Sequence, residues 1–240
     1  MTAMTPVKRF KTGIVTIDGQ LRGGIPESSV VLVLEDPGAG GDILTYHFAI
    51  EGAKNDESVL YVTTDDPAEY IMSDMCEMAG DNAEKVKKNV DFLDFVSGRI
   101  YTPDRLRECL KRRYDPFNAF KNLLDTKSYE RVVVNNLTYF FLHYPDDDVI
   151  KLVESFSDYA KRDRSVFLVL MTKGMLEPKI ETTIKHIADA VMEMTIKEME
   201  NEIQRRLKFI KFKRTLVPKI ILRYDLSDRG IIMESVMRVI

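Results

Sequence analysis

A chain of 240 residues, 45% of them hydrophobic, can bury one substantial core, and one domain over residues 1–240 is expected rather than two small ones. A formal charge of -3 excludes a general electrostatic attraction to nucleic acid or anionic membrane, which leaves only local basic faces for such partners. The two cysteines, Cys76 and Cys109, lack CxxC spacing and a histidine cluster, so they read as buried thiols rather than metal ligands. The stretch from Met1 to Gly13 has no apolar signal-peptide core, and the longest apolar runs are strand-length. A reducing cytoplasm and no membrane partner are expected.

In chain order, five short runs rich in β-branched and aromatic residues predict strands: Ser28 to Leu34, Ser58 to Thr64, Val90 to Val96, Arg131 to Leu137 and Ser165 to Met171. Helical spacing falls between them, over Ile43 to Gly52, Pro67 to Ala79, Asp104 to Arg113 and Asp146 to Arg162. The run Asp146, Asp147, Asp148 suits the positive end of a helix better than a metal site. This alternation predicts an α/β fold with a mostly parallel sheet and helices on both faces. After Ile184 the chain reads as strands without long helices, "AVMEMTI", "EIQRRLKFIKFKR", "PKIILRYDL" and "GIIMES", expected as antiparallel hairpins at the sheet edge. Tyr139 to Tyr144, "YFFLHY", is expected to be buried, and His47, His143 and His186 lack ligand spacing.

The chemistry concentrates in "VLVLEDPGAGGDIL", Val31 to Leu44, which passes from an apolar strand through a Gly-rich turn to a helix start. A phosphate loop uses backbone N–H groups and a helix N-terminus to face phosphates, a lysine to reach the outer ones, and a hydroxyl to hold magnesium. Pro37, Gly38 and Gly40 could preserve the turn, but Gly41 and Asp42 stand where lysine and the hydroxyl belong. Glu35, Asp36 and Asp42 crowd the turn with carboxylates. Two like charges about 4 Å apart repel by roughly 4 kcal/mol at an effective dielectric near 20. The Asp42 carboxylate could instead accept the first helical N–H bonds, a built-in cap where phosphate would sit. Taken alone, "PGAGGD" is a weak motif and fits an ordinary strand-turn-helix connection better than a phosphate loop.

Its context is more specific. Thr12 to Ala53 contains, in order, "TGI", a spaced Asp18, "GGIP", the strand and "PGAG". This set resembles the opening of KaiC-like ATPases of the RecA superfamily. "VLYVTTDDPAEYI" is similar to that family's second strand ending in an acidic pair, here Asp65 and Asp66 where glutamates are usual. "RVVVNNLT" resembles the Walker B strand, with Asn135 at the place of the magnesium-linked aspartate. "HIADAVMEM", "RRLKFIKFKR" and "DRGIIMES" resemble the terminal hairpins, so the likeness spans nearly the whole chain. It implies a RecA-like three-layer fold. It also places Lys211 and Lys213 at positions that in hexameric relatives reach a neighbour's γ-phosphate.

Without lysine and the magnesium anchor, the main source of transition-state charge neutralisation is gone. Asp65 and Asp66 become a vestigial pair that could orient water or cap the helix from Pro67. Neither a cofactor nor a metal is therefore expected. The leading expectation is an inactivated homologue acting as a regulatory or assembly module, in signal transduction as the resemblance suggests, with protein partners or copies of itself. In that reading the basic hairpin of Lys208, Lys211, Lys213 and Arg214 docks on a neighbour's Asp36, Asp42, Asp65 and Asp66, or else its lysines block edge pairing. One alternative keeps ATP and magnesium through a relocated cation, Lys173 or Lys211 in trans. Another is nucleic-acid binding through Arg205, Arg206 and the hairpin cations, against which the acidic total argues.

Overall fold

The computed structural model describes residues 7–102, 105–109, 116–199 and 202–234, without the side chains between 99 and 116. Short β1 (Arg9–Phe10) and β2 (Ile25–Pro26) pair antiparallel around helix α1 (Val15–Gln20). There follow β3 (Ser29–Glu35), α2 (Gly41–Lys54), β4 (Val59–Thr63), α3 (Ala68–Ala79), α4 (Ala83–Asn89), β5 (Val90–Asp94), β6 (Arg99–Thr102) and β7 (Arg105–Cys109). The second half runs α5 (Pro116–Thr126), β8 (Arg131–Asn135), α6 (Leu137–His143), α7 (Asp146–Asp163), β9 (Val166–Thr172) and α8 (Pro178–Ile187). Four strands close the chain, β10 (Ala190–Met199), β11 (Glu202–Phe212), β12 (Ile221–Ser227) and β13 (Gly230–Met233).

Among the described residues the main sheet has eleven strands, in the order β13-β12-β11-β10-β3-β9-β8-β4-β5-β6-β7. Its centre, from β10 through β3, β9, β8 and β4 to β5, is parallel. Both ends turn antiparallel, β6 and β7 beyond β5, and β11 to β13 beyond β10. The central strands are buried on both faces, as parallel strands under two helix layers require. Alternation along β3 feeds two cores: Val31 and Val33 pack with Leu44, Ile71 and Met75 of α2 and α3. Val30, Leu32 and Leu34 pack on the other face with Phe120, Phe140, Phe156 and Ile184 of α5 to α8.

The structure departs from these expectations in detail. The helix expected over Asp104 to Arg113 is replaced by β7 at Arg105–Cys109, so Cys109 lies on a strand; residues 103, 104 and 110–113 of that prediction fall outside the described ones. Strand pairing with β6 outweighs the helical spacing there. Helices α1, α4, α5, α6 and α8 carry no prediction, α8 ending at Ile187 just before the first of the expected C-terminal strands. Strand β10 pairs parallel with β3 rather than serving only as a hairpin arm. The burial expected for "YFFLHY" holds at Phe140 and Phe141 on α6, and the Asp146 to Asp148 run does open α7.

Helix α2 is held against the sheet by Arg131 at the start of β8, which is 1% exposed. Arg131 donates to Glu57 at 2.6 Å and to the carbonyls of Lys11 and Phe48 at 2.7 and 2.9 Å. Gly52 makes this approach possible, since a Cβ there would lie 2.5 Å from Arg131 Cδ. The parallel order β3-β9-β8-β4 puts the carboxyl ends of these strands on the edge where β3 runs into the start of α2, the place where open α/β sheets take ligands.

Candidate functional site

The β3–α2 loop turns on Gly38 and Gly40, both with positive φ (84° and 85°), and Gly40 is the residue before the first turn of α2. Glu35 folds back into this loop, and its Oε2 accepts the Gly41 N–H at 2.7 Å. That N–H is the first of α2, one of the donors such loops offer to a bound phosphate. The carboxylate also takes up the room beside Gly41. A Cβ on Gly41 would lie 2.5 Å from both Glu35 Oε2 and Leu170 Cδ1. A side chain at position 41 would therefore require the Glu35 carboxylate and the Leu170 methyl to move aside. Burial pushes the Glu35 carboxyl up to about 7, opposed by the Gly41 N–H and reinforced by the charges of Asp42, Asp65 and Asp36.

A built-in anion is present, but Glu35 rather than Asp42 binds the first helical N–H, and no side chain caps α2 from its N-cap residue. Asp42 points outward at the surface. Loss of water on its protein side raises its carboxyl; the N–H groups of Ile43 and Asp42 oppose this, and Asp66 and Asp74 add to it. Asn135 turns inward instead of towards the loop. Its Nδ2 donates to Tyr61 Oη at 2.9 Å, Tyr61 Oη lies 2.7 Å from Thr45 Oγ1, and Thr45 Oγ1 donates to the Asp42 carbonyl at 2.6 Å. Because the Thr45 proton is committed to that carbonyl, Tyr61 is the donor to Thr45, and the relay runs one way from β8 to the base of α2.

The acidic pair is exposed. Asp65 accepts from Thr64 Oγ1 at 3.0 Å, and the Asp66 carbonyl accepts from Thr63 Oγ1 at 2.6 Å. Burial on one side raises the Asp65 carboxyl, with the neighbouring charges of Asp66 and Asp42 adding to it. Neither caps α3. That role falls to Asp94 at the end of β5, which accepts the Ala68 N–H at 3.0 Å, so the expected capping pair is corrected to a carboxylate from the next strand.

The hairpin cations all find partners within the chain. Lys211 donates to the carbonyls of Lys185, His186 and Ala188 at 3.1, 2.9 and 2.6 Å, closing the C-terminal end of α8. Lys213 pairs with Asp189 at 2.9 Å, and Arg214 donates to the Ser28 carbonyl and Ser29 Oγ. Lys208 pairs with Glu193, which Lys173 also reaches at 2.5 Å while standing 3.8 Å from Asp36.

A second layer over the loop carried no prediction. Tyr224 of β12 donates to the Ala39 carbonyl at 2.6 Å, and the Ile196 N–H donates to Asp36 Oδ2 at 3.0 Å. Arg205 donates to the Gly38 carbonyl at 3.3 Å. Leu226 lies so close that a Cβ on Gly40 would meet it at 2.7 Å. His47 of α2 accepts the Ile231 N–H at 3.0 Å, and burial pulls its imidazole down to about 4. The alternation in "ILRYDLS" was the available signal, since it sends Leu222 and Tyr224 to one face. No helix is long and apolar enough to cross a membrane among the described residues.

A parallel sheet with a Gly-turned loop at the carboxyl end of β3, entering a helix and flanked by antiparallel strands, defines a RecA-type α/β domain. The chain belongs to the KaiC family: the family described as "ATPase: KaiC" matches residues 10–236. It is similar to a UPF0273 protein of Thermotoga maritima, 26% identical over 237 residues, covering 95% of this chain and 96% of the relative. A UPF0273 protein of Aeropyrum pernix is 25% identical over 248 residues, covering 97% of each. In fold the chain resembles a KaiC-like protein of Pyrococcus horikoshii, with a TM-score of 0.75 at 18% identity over 96% of this chain and 100% of the other.

Proposed function

We propose that this KaiC-family chain is a non-catalytic regulatory or assembly module whose nucleotide loop is occupied by its own Glu35. One observation carries the reading: the Glu35 carboxylate bonds the Gly41 N–H and fills the space a side chain at position 41 would need. The surrounding residues fit a magnesium triphosphate poorly. Phosphate would have to displace Glu35 beside Asp36, Asp42 and Asp65, with repulsion of roughly 4 kcal/mol per close pair. Among the described residues no group of three or more His, Cys, Asp or Glu is placed to hold a metal ion. Asn135 carries no carboxylate charge for magnesium and spends an amide N–H on Tyr61, and Thr45 donates its hydroxyl proton to the Asp42 carbonyl.

Titration calorimetry with ATP and ADP, with and without magnesium, tests this. Silence at millimolar nucleotide is expected, and micromolar binding refutes it. A second reading, nucleotide held by a relocated cation, is favoured by Lys173, whose Nζ lies 3.8 Å from Asp36 in the loop. Binding that disappears in Lys173→Ala establishes it. For assembly, self-docking through the hairpin requires Lys211 and Lys213 to leave their partners on α8 and Asp189. Light scattering on the Lys211→Glu, Lys213→Glu double variant decides: a fall in mass supports docking, and unchanged mass removes the hairpin from the interface.

A further inference from the structure

Beside the first turns of α2 lies a cleft of about 270 Å³, between α2, α3 and the β12–β13 turn. Its floor is Ile43, Tyr46 and Met78, and its rim carries Asp74, Glu77 and Asp228. Tyr46 is 5% exposed, with its ring 6.1 Å from that of Tyr61. Its hydroxyl has no hydrogen-bond partner among the described residues, yet it is not sealed off, so it opens into the cleft. A buried phenol normally finds a partner. The rim carboxylates are exposed and make neither a hydrogen bond nor an ion pair among the described residues.

The ligand's class follows from what these groups have in common. Every charge on the rim is negative, and the charges that further raise the already desolvated Tyr46 hydroxyl are Asp42, Asp74, Asp66 and Asp65. The field in the cleft thus attracts cations and repels phosphates. The acids do not converge as metal ligands do, because among the described residues no three are close enough to hold an ion. Separated charges around an apolar floor suit a flexible cation with spaced positive ends and a methylene stem. The volume lies just below the range of drug-sized pockets, which points to a ligand the size of one long side chain. We infer that this cleft binds an aliphatic amine, its ammonium groups meeting Asp74, Glu77 and Asp228 and its stem lying on Ile43 and Met78, with the Tyr46 hydroxyl accepting from one ammonium. The amine is either a free polyamine or a lysine side chain of a basic protein segment.

Titration of the full chain with spermidine, a tetralysine peptide and magnesium chloride, at low and moderate salt, tests the inference and separates its sources. Saturable, salt-weakened binding of spermidine or the peptide is expected, and the tighter of the two identifies the source. The Asp74→Asn, Glu77→Gln, Asp228→Asn triple variant should bind about tenfold more weakly. Tyr46→Phe, which keeps the ring, should weaken binding about threefold. The inference is overturned if neither amine binds, if the triple variant binds as tightly as the wild type, or if magnesium displaces the amine at equal concentration. It is also overturned if ATP binds and Tyr46→Phe weakens that binding, because the cleft is then part of a nucleotide site. The amine titrations do not involve Glu35, so their failure leaves the reading of the loop standing.

Discussion

Glu35→Gln should stabilise this protein at neutral and alkaline pH and leave it unchanged in acid. The amide oxygen of glutamine can still accept the Gly41 N–H, so the substitution removes charge and little else. Glu35 has a carboxyl near 7 in the fold against 4.5 when free. Below pH 4.5 the group is protonated in both folded and unfolded chains and contributes nothing to the balance. As pH rises towards 7 the unfolded chain ionises first, so the fold loses stability through that window, by about 3 kcal/mol once both forms are charged. Glutamine escapes this loss. Thermal unfolding at pH 5 and pH 8 is the assay, and about 3 kcal/mol corresponds to a rise of roughly 6–12 °C at pH 8 for a domain of this size. A gain of equal size at both pH values, or a loss at pH 8, would refute the argument that desolvation and like charge act on Glu35.

His47 works in the opposite sense. Its imidazole falls from 6.5 to about 4 in the fold, so the unfolded chain takes up a proton first, and stability present above pH 6.5 is lost as pH falls towards 4. In urea unfolding from pH 4.5 to 6.5, His47→Gln should lose the part of the profile that rises with pH in the wild type, and an unaltered profile would exclude His47. Gly41→Ala should lower stability by about 1–3 kcal/mol, because its Cβ meets Glu35 and Leu170 at 2.5 Å, and a melting temperature equal to wild type would contradict the filled loop. Lys211→Met should destabilise by about 1–2 kcal/mol through the three carbonyls it abandons at the end of α8, read by chemical denaturation.

The fold was legible wherever periodicity and burial agree. β3, β4, β5, β8 and β9 are apolar runs bounded by turn signals, and α2, α3 and α7 begin within two residues of their predicted starts. Failure came where tertiary pairing overrides spacing, at β7, and where short helices such as α4 and α6 carry too few turns to show a period. In the loop, Gly41, Asp42 and Asn135 could be read from the sequence as standing where the family resemblance would put lysine, a hydroxyl and an acid. What replaced them could not. Glu35 read as one of three crowding acids, and only the chain's path shows it turning back onto Gly41. Likewise Lys211, Lys213 and Arg214 are basic in any reading, but their carbonyl and carboxylate partners come from segments 23 to 186 residues away.

Glu35 and Gly41 also bear on whether this loop could take a lysine at position 41. Lysine at 41 introduced first would bring its Cβ against the Glu35 carboxylate and Leu170. Glycine at 35 introduced first would strip the acceptor from the Gly41 N–H and supply no cation in return. The two positions are therefore coupled, and a double-mutant cycle of Glu35→Gln with Gly41→Ala should be non-additive, the alanine costing less once residue 35 is uncharged.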